Sequence, residues 1–315
     1  MIDASISEAV REGLGGQTKS LPAWLLYDQA GSELFDQITR VPEYYPTRVE
    51  RSIFTHYAPE MLRAAAGGQK LSLVELGAGT ADKTRVLLAA LVELQGRSLY
   101  VPVDVSVSAL QAAEERIGAE LPSVTVRSLV CATEQVPDAL RAIEGRKLVL
   151  FIGSSIGNYD EESAVALLSG VAAALSAGDM LLLGTDLRKD LSVLLPAYND
   201  AAGVTAAFNR NVLVRLNAEL KADFDVARFE HSARWNEAQS RIEMHLQSTC
   251  VQDACIGALE MTVHFDEGES IHTESSVKYD SAMIDRMLER SGFALERTFT
   301  DPLDWFGVHL ARVRR

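Results

Sequence analysis

Short hydrophobic runs alternate with longer amphipathic stretches between about residues 71 and 187. The runs have the length of buried strands and occupy residues 71–76, 98–103, 124–130, 147–152 and 179–184. Between them, stretches such as 84–94 and 106–117 carry hydrophobic residues three and four positions apart, as an amphipathic helix does. Hydrophobic strands that alternate with helices are typical of a doubly wound parallel sheet. The pattern therefore predicts an α/β fold for this part of the chain.

A different pattern begins after residue 187. Residues 190–222 have helical spacing, whereas residues 226–273 contain alternating polar and hydrophobic positions, which are typical of antiparallel strands. Another helical stretch at 281–291 is followed by two strand-like segments joined by the turn signal Asp301-Pro302. If this helix and hairpin complete the first sheet, one domain comprises 61–188 plus 277–315. The second, an inserted α+β domain, then comprises 189–276 and packs with residues 1–60.

The composition indicates a small molecule as the partner. The chain has 315 residues with 30 Lys and Arg against 44 Asp and Glu, a formal net charge of −14, which disfavours nucleic acids and anionic membranes. No hydrophobic run approaches the roughly 20 residues of a membrane helix, and the first residues do not resemble a secretory signal. The three cysteines have no metal-ligand spacing, so we expect buried, reduced thiols in the cytoplasm. We therefore expect a cytoplasmic monomer.

The sharpest local signal is a glycine pair, Gly77 and Gly79, between the first predicted strand and the next predicted helix. Gly77 permits a tight turn with a positive φ, and Gly79 lets the backbone approach a ligand closely. Asp82 stands where a dinucleotide-binding loop has its third glycine, and its charge would repel a pyrophosphate. Asp104 ends the second predicted strand, where a carboxylate can accept hydrogen bonds from both ribose hydroxyls. The set favours S-adenosylmethionine, although a plain loop with Asp104 as a helix N-cap is the structural alternative.

Candidate residues for binding the substrate that would accept the methyl group lie in two further segments. Gly153 and Asn158 follow the fourth predicted strand, at the sheet edge where open α/β sheets bind ligands. Glu274 and Ser276 share one face if their segment is a strand, and a carboxylate beside a hydroxyl suits a small ring with two hydrogen-bonding atoms. From spacing alone, a turn capped by Asn158 and a solvated strand face remain open alternatives.

Three more residues have a structural and a functional interpretation. Tyr44 lies in a loop bracketed by two prolines, Tyr198 follows a helical pattern, and Met244 lies in a strand-like segment. Packing alone would explain each of them. The six histidines show no metal-ligand spacing, and no Gly-x-Ser-x-Gly motif occurs. Chemistry that a cofactor carries is therefore more plausible than metal or covalent catalysis.

Short motifs spread over nearly the whole chain carry a family resemblance. They occupy residues 27–35, 42–48, 75–80, 101–106, 153–158, 197–200, 241–244 and 273–276. With these motifs the sequence resembles the histidine-specific N-methyltransferases of ergothioneine biosynthesis. The resemblance implies a Rossmann-like class I methyltransferase sheet with an inserted α+β substrate-binding domain. It also implies transfer of three methyl groups from S-adenosylmethionine to the α-amino group of L-histidine, which gives hercynine and S-adenosylhomocysteine, without a metal.

The resemblance implies a role for each candidate residue. Asn158 and Tyr198 would hold the carboxylate of the amino acid, and Tyr27 would act as the catalytic residue at its amine, through water. Glu274 and Ser276 would bind the imidazole nitrogens. The others would line the acceptor pocket (Tyr44, Gly153 and Met244) or hold the cofactor (Gly77, Gly79, Lys83 and Asp104).

One stretch departs from the family pattern. The family usually has Asp-Phe after the third strand, where the carboxylate contacts the adenine, but this chain reads Cys131-Ala132-Thr133. Thr133 or backbone groups would therefore have to contact the adenine amine.

The sequence leaves alternative functions open. A methyltransferase of the same scaffold could act on another amino-acid or indole amine, or stop at fewer methyl groups. A cofactor-binding protein without turnover is disfavoured by the polar residues present in both segments. A nicotinamide oxidoreductase is disfavoured by Asp82.

Overall fold

The computed structural model of the protein describes residues 4–79, 81–131 and 135–314. In these ranges the helices are α1 (Ala4–Gly15), α2 (Gln29–Ile38), α3 (Pro46–Ala66), α4 (Thr84–Gln95), α5 (Val107–Glu120), α6 (Val136–Arg141), α7 (Glu161–Ala174), α8 (Leu191–Ala197), α9 (Val204–Leu220) and α10 (Ser281–Arg290). The strands are β1 (Lys19–Ser20), β2 (Leu71–Leu76), β3 (Ser98–Asp104), β4 (Val124–Val126), β5 (Leu129–Val130), β6 (Arg146–Phe151), β7 (Met180–Asp186), β8 (Phe229–Asn236), β9 (Arg241–Ser248), β10 (Gln252–Ile256), β11 (Met261–Phe265), β12 (Ser270–Val277), β13 (Phe293–Thr300) and β14 (Phe306–Val313).

The chain folds into two compact units. The first unit comprises the N-terminal residues up to Tyr45 together with Lys189–Val277. The second unit comprises Pro46–Arg188 together with the residues from Lys278 onward. Residues 189–277 therefore interrupt the second unit between β7 and α10, as an inserted domain does. The N-terminal boundary lies at residue 45, not at residue 60.

The position of α3 explains this difference. Its buried residues Ile53, Phe54 and Met61 belong to the same hydrophobic core as Leu73 of β2 and Leu150 of β6. Because burial of this hydrophobic face is favourable, α3 folds with the second unit. Its amphipathic pattern predicts a helix but does not specify which core it joins.

The second unit contains a mainly parallel sheet, which has eight strands within the described ranges. The order is β13-β14-β7-β6-β2-β3-β4, and β5 also pairs with β3. Strand β14 is antiparallel to both of its neighbours. The predicted α/β fold is confirmed, including the C-terminal hairpin that completes the sheet. The predicted single strand at 124–130 is wrong, since the polar residues Arg127 and Ser128 separate β4 from β5.

Strands β2 and β6 are neighbours in the middle of this sheet. From β2 the chain continues to β3 on one side, and from β6 it continues to β7 on the other. Such a switch point leaves a crevice beyond the carboxyl ends of the two strands, where open α/β sheets bind ligands. The loops that begin at Gly77 and Gly153 therefore lie at the same sheet edge.

Within the first unit, the described residues form a four-stranded sheet in the order β1-β12-β9-β8 and a separate β10–β11 hairpin. Strand β9 buries Ile242, Met244 and Leu246, and the residues between them are partly exposed. This alternation defines an inner, buried face of the sheet. Helix α9 packs against β8 and β9. The helical stretch predicted at 190–222 is two helices, because the chain turns at Gly203, whose φ is 74°.

A β-bulge at Thr273 sets which side chains of β12 face inward. Before it, His272 lies opposite His245, and after it Glu274 lies opposite Met244. Thr273 is therefore the extra residue of β12. Strict alternation would put Glu274 on the same face as His272, but the bulge turns it to the inner face.

The chain leaves and re-enters the second unit at two adjacent segments. Leu187 forms a parallel β-bridge with Tyr279, and the Arg188 N–H donates to Tyr279 O at 2.9 Å. Beside them, Lys278 Nζ lies 2.9 Å from Asp186 Oδ2 in a buried ion pair. These contacts fix the two segments to each other within the second unit.

All three cysteines are thiols, but only Cys131 is buried. The expectation of burial is wrong for Cys255, which is exposed on the β10–β11 hairpin, and for Cys250, which is partly exposed. In the ranges that the structure describes, no helix combines the length and the hydrophobicity needed to cross a membrane.

Candidate active site

The glycine loop between β2 and α4 has the backbone conformation that its sequence predicts. Gly77 and Gly79 have φ values of 65° and 51°, in the left-handed region that favours glycine. The Gly77 N–H donates to Val103 O at 2.9 Å, which attaches the loop to the end of β3. Among the described atoms, a Cβ at either glycine would meet nothing within 4 Å. The loop therefore borders open space.

Asp104 is held by two backbone donors. Its Oδ2 accepts from the Gly79 N–H at 3.0 Å, and its Oδ1 accepts from the Ser106 N–H at 2.9 Å. The N-cap of α5 is Ser106, so the interpretation of Asp104 as a cap is wrong. Each carboxylate oxygen has a further lone pair. The carboxylate is thus oriented and still able to accept hydrogen bonds from hydroxyl groups.

Lys83 is joined to the second glycine-containing loop by Glu50 of α3. Glu50 Oε1 accepts from the Gly153 N–H at 2.8 Å, and Glu50 Oε2 accepts from Lys83 Nζ. The Glu50 side chain is 0% exposed. Gly153 has a φ of 78°, and a Cβ there would lie 2.8 Å from Lys83 Nζ. One buried carboxylate therefore connects three segments at this edge of the sheet.

The loop after β6 is held by Ser154, and Asn158 lies at its far end. Ser154 has a φ of 58°, and its Oγ accepts from the Asp186 N–H at 2.8 Å. Asn158 is exposed and ends a short 3-10 helix that begins at Ser155. The N-cap of the following helix, α7, is Asp160, so Asn158 does not cap that helix.

Asp82 does not face the sheet edge as an isolated charge. Its carboxylate lies 3.7 Å from Arg51 Nη1 and 3.4 Å from Arg116 Nη1. These partly exposed ion pairs offset its charge, so the repulsion expected from the sequence is weaker than that of a lone carboxylate. Thr133, the predicted adenine contact, lies outside the described residues.

A buried acid lies beneath the glycine loop. Glu75 of β2 accepts from Thr84 Oγ1 at 2.7 Å and from the Tyr100 hydroxyl. Burial raises the pKa of the Glu75 carboxyl to about 7, although both hydrogen bonds oppose the rise.

In the first unit, the inner face of the sheet brings three predicted acceptor residues together. Glu274 and Ser276 both point inward from β12, and Met244 lies directly opposite Glu274 on β9. Glu274 is 8% exposed, and Ser276 and Met244 are also buried. The alternative of a solvated strand face is therefore wrong, because the bulge at Thr273 turns these side chains away from solvent.

Two predicted tyrosines adjoin this face. The Tyr198 hydroxyl lies 2.7 Å from Ser276 Oγ, and either oxygen can donate. The Tyr198 ring contacts Tyr44 edge to face, with ring centroids 6.4 Å apart. Both rings are buried. The first unit thus joins a carboxylate, two hydroxyls and an aromatic wall.

Tyr27 lies between a short 3-10 helix, Ala23–Leu26, and α2. Its ring packs edge to face against Phe35 and Phe208 at centroid distances of 5.6 and 5.4 Å. Although 39% of Tyr27 is exposed, desolvation by the protein around its hydroxyl raises the pKa of the phenol well above the usual value. The nearby charge of Glu274 raises it further. The phenol is therefore neutral at physiological pH.

Nearly the whole chain matches one family model. Residues 6–313 fit the model described as "Histidine-specific methyltransferase, SAM-dependent". The chain belongs to this family of S-adenosylmethionine-dependent, histidine-specific methyltransferases. Among curated proteins, histidine N-alpha-methyltransferase of Mycolicibacterium smegmatis is 45% identical over 302 residues, which is 96% of this chain and 93% of that protein. The Mycobacterium tuberculosis protein of the same name is 45% identical over 304 residues, with the same coverage.

A solved structure shares the fold of this histidine-specific methyltransferase. The PH0226 protein of Pyrococcus horikoshii aligns with a TM-score of 0.50 at 14% identity, over 91% of this chain and 100% of that one. The prediction of a Rossmann-like methyltransferase fold is confirmed. The protein is a methyltransferase that depends on S-adenosylmethionine.

The second unit of the methyltransferase has features that fit this methyl donor. The open space beside Gly77 and Gly79 allows close approach to their backbone, and Asp104 presents an oriented carboxylate beside it. Such a pair suits the ribose of an adenosyl group. Within residues 4–79, 81–131 and 135–314, no cluster of three or more potential ligands could hold a metal ion.

Several residues of the methyltransferase site were not predicted. Phe35 and Phe208 complete the aromatic cluster around Tyr27, and Glu50 connects Lys83 to Gly153. Phe35 lies within residues 27–35, a motif that carries the family resemblance, and this motif could have identified it as a candidate site residue. Glu50 and Phe208 lie outside such motifs, and only folding brings Glu50 to Lys83 and Phe208 to Tyr27.

Proposed function

We propose that this methyltransferase transfers three methyl groups from S-adenosylmethionine to the α-amino group of L-histidine, giving hercynine in ergothioneine biosynthesis. One observation carries the proposal. Glu274 and Ser276 lie side by side on a buried sheet face, next to the Tyr198 hydroxyl and opposite Met244. Such a set fits an aromatic ring that has hydrogen-bonding nitrogens.

Glu274 and Ser276 would recognise the imidazole. Glu274 accepts a ring N–H, and the Ser276 hydroxyl contacts the other ring nitrogen. A buried carboxylate left without this N–H would be costly, so amino acids that lack a ring N–H should bind poorly. Met244 fills the space beside Glu274 and limits the size of the ring.

Tyr27 would serve the amine. Its raised pKa keeps the phenol neutral, so it acts as a hydrogen-bonding partner and not as a phenolate base. The amine must be neutral to react, and water held by Tyr27 can take up the proton that it loses. Each transfer adds a methyl group to a nitrogen that ends as a quaternary cation. The faces of Tyr27 and Tyr44 would stabilise that cation.

The methyl donor and the carboxylate of histidine are the two groups that remain to be bound. Gly77, Gly79 and Asp104 would bind the methyl donor, together with Lys83 and Thr133. When bound, S-adenosylmethionine supplies an electrophilic methyl group on a sulfonium. Asn158 and Tyr198 would bind the carboxylate of histidine. Because the methyl group is already activated, the protein mainly orients its substrates.

The test is incubation of the purified protein with S-adenosylmethionine and a panel of amino acids and indole amines, followed by mass spectrometry. We expect trimethylated histidine, with three molecules of S-adenosylhomocysteine formed for each molecule of product. Histidine should be the only compound of the panel that is methylated. Mono- or dimethylated histidine as the final product would contradict the proposed number of transfers, and methylation of an indole amine instead would contradict the acceptor.

A second measurement tests the recognition of the imidazole. Glu274→Gln should raise the KM for histidine at least tenfold and leave the binding of S-adenosylhomocysteine unchanged. An unchanged KM would show that Glu274 does not hold the ring.

We also propose that the protein is a monomer in the cytoplasm. Gel filtration tests the oligomeric state, and cell fractionation tests the location.

A further inference from the structure

A buried asparagine lies beside the β-bulge that directs Glu274 inward. Asn209 of α9 is 0% exposed. Its Oδ1 lies 2.6 Å from the hydroxyl of Thr273, the extra residue of the bulge. Its Nδ2 lies 3.1 Å from His245 O, on the neighbouring strand. One amide thus contacts both strands at the irregularity.

These partners fix the orientation of the Asn209 amide. His245 O can only accept a hydrogen bond, so Asn209 Nδ2 faces it and Oδ1 faces the Thr273 hydroxyl. The same hydroxyl lies 3.0 Å from Met244 O. The bulge is therefore held by a polar side chain whose hydrogen bonds point in defined directions.

A second set of contacts runs from Asn209 to Tyr198. His231 Nε2 lies 2.8 Å from Tyr198 O, which can only accept, so this nitrogen carries the proton. His231 Nδ1 must then accept from Asn209 Nδ2, which is 2.9 Å away. Burial lowers the pKa of His231, which favours this neutral form. The Tyr198 hydroxyl in turn lies 2.7 Å from Ser276 Oγ.

The two sets of contacts converge on the residues proposed to hold the histidine. Through Thr273, Asn209 fixes the register that turns Glu274 and Ser276 inward. Through His231, it fixes the backbone of Tyr198. Without these bonds, β12 could lose the bulge, and Glu274 would move to the outer face of the sheet.

We propose that Asn209 is a positioning residue that sets affinity for the acceptor, because it holds the bulge at Thr273 and the backbone at Tyr198. The inference rests on the proposed role of Glu274 in binding the imidazole. Asn209 itself is not proposed to contact the substrate. It acts by keeping the binding residues in place before the substrate arrives.

Steady-state kinetics of matched variants test this proposal. Asn209→Ala and Thr273→Val each remove the bond between amide and hydroxyl, and Thr273→Ser keeps the hydroxyl. We expect Asn209→Ala and Thr273→Val to raise the KM for histidine about tenfold, with kcat changed less than threefold. Thr273→Ser should stay within about threefold of the unsubstituted protein in KM. Binding of S-adenosylhomocysteine should be unchanged.

Asn217→Ala is the matched control on the same helix. Asn217 donates to Phe224 O at 2.8 Å and accepts from the Phe224 N–H at 2.9 Å, so its amide also makes two partly buried hydrogen bonds but does not reach the bulge. Its loss should lower thermal stability and leave the KM for histidine unchanged. A double variant, Asn209→Ala with Thr273→Val, should raise KM no further than the larger single effect.

The proposal is overturned if Thr273→Val and Thr273→Ser have the same KM, or if Asn217→Ala raises KM as much as Asn209→Ala. Should Asn209→Ala fail to fold, the comparison of Thr273→Val with Thr273→Ser still decides. Glu274→Gln separates the two proposals. If it raises KM and the Asn209 and Thr273 variants do not, only the positioning role fails. If Glu274→Gln leaves KM unchanged, the imidazole assignment itself fails.

Discussion

Glu50 Oε1 accepts the backbone N–H of Gly153 at 2.8 Å, across a sequence separation of 103 residues. The other oxygen of this buried carboxylate accepts from Lys83 Nζ. The loop after β6 and the start of α4 are therefore held by a single side chain from α3. The structure of the proposed donor site depends on a residue that would not itself bind the donor.

Glu50→Gln should weaken binding of the methyl donor. The amide can still accept from Gly153 but no longer neutralises Lys83, so we expect a loss of stability of about 2 kcal/mol and roughly tenfold weaker binding of S-adenosylhomocysteine. Urea unfolding and calorimetric titration measure the two effects. Glu60→Gln is the control. Glu60 lies on α3 like Glu50, but its ion pair with Arg297 of β13 is exposed, so its loss should change neither stability nor donor binding. If Glu50→Gln bound S-adenosylhomocysteine as tightly as the unsubstituted protein, the Glu50–Lys83 ion pair would not contribute to donor binding.

Gly184→Ala should act through the same carboxylate. A Cβ at Gly184 would lie 2.2 Å from Glu50 Oε1 and 3.2 Å from the Ile152 backbone, so Glu50 or the strand must move. We expect a loss of about 1–3 kcal/mol in the free energy of unfolding, together with weaker binding of S-adenosylhomocysteine. Gly118→Ala is the control, because a Cβ there meets nothing within 4 Å among the described atoms and α5 favours alanine over glycine. Equal melting temperatures for the two variants would show that the strand absorbs the Cβ.

Tyr27→Phe should slow methyl transfer without changing its dependence on pH. The phenol has a pKa well above its usual value, so it does not titrate in the working range. We expect kcat to fall by roughly 10²-fold, because the water that accepts the amine proton is no longer held. The pH–rate profile should keep its shape. Disappearance of a limb of the profile in Tyr27→Phe would mean that the phenolate takes part.

His309 should make stability depend on pH. Its Nε2 lies 2.8 Å from Thr185 Oγ1 and its Nδ1 lies 2.9 Å from Thr298 Oγ1, and burial lowers its pKa from 6.5 to about 4. A lowered pKa means that the contribution to stability is complete above pH 6.5. It is lost as the pH falls towards 4, up to about 3 kcal/mol. The difference in unfolding free energy between the unsubstituted protein and His309→Gln should shrink over that range.

His264 provides a control of opposite sign for the His309 measurement. A hydrogen bond from its ring to Asp253 raises the pKa of this exposed histidine. Any stability that it contributes is complete below pH 6.5 and is lost as the pH rises through the raised pKa. If His264→Gln and His309→Gln gave the same trend with pH, burial would not be the cause of the His309 effect.

The sequence predicts elements well where the signal is local. Strand β2 begins and ends as predicted, and the glycine loop after it has the predicted positive φ values, because both follow from adjacent residues. The core that α3 joins could not be predicted, because Phe54 and Met61 come into the same core as Leu73 only after folding. Amphipathic spacing identifies a buried face but not the partner of that face.

The candidate site shows the same limit. Alternation correctly puts Glu274 and Ser276 on one face, but it does not reveal which face, because that depends on the bulge at Thr273. Asn209 and Glu50, which contact the predicted residues or their neighbours in the two units, have no local motif. Their importance comes from hydrogen bonds to residues distant in the chain, which sequence spacing does not encode.

The β-bridge between Leu187 and Tyr279 has an evolutionary consequence. Because the two ends of the inserted segment are attached to each other within the second unit, changes inside the insert need not alter the register of β7 or the start of α10. The proposed imidazole contacts on the insert, Glu274 and Ser276, can therefore change during evolution while the strands of the second unit keep their arrangement.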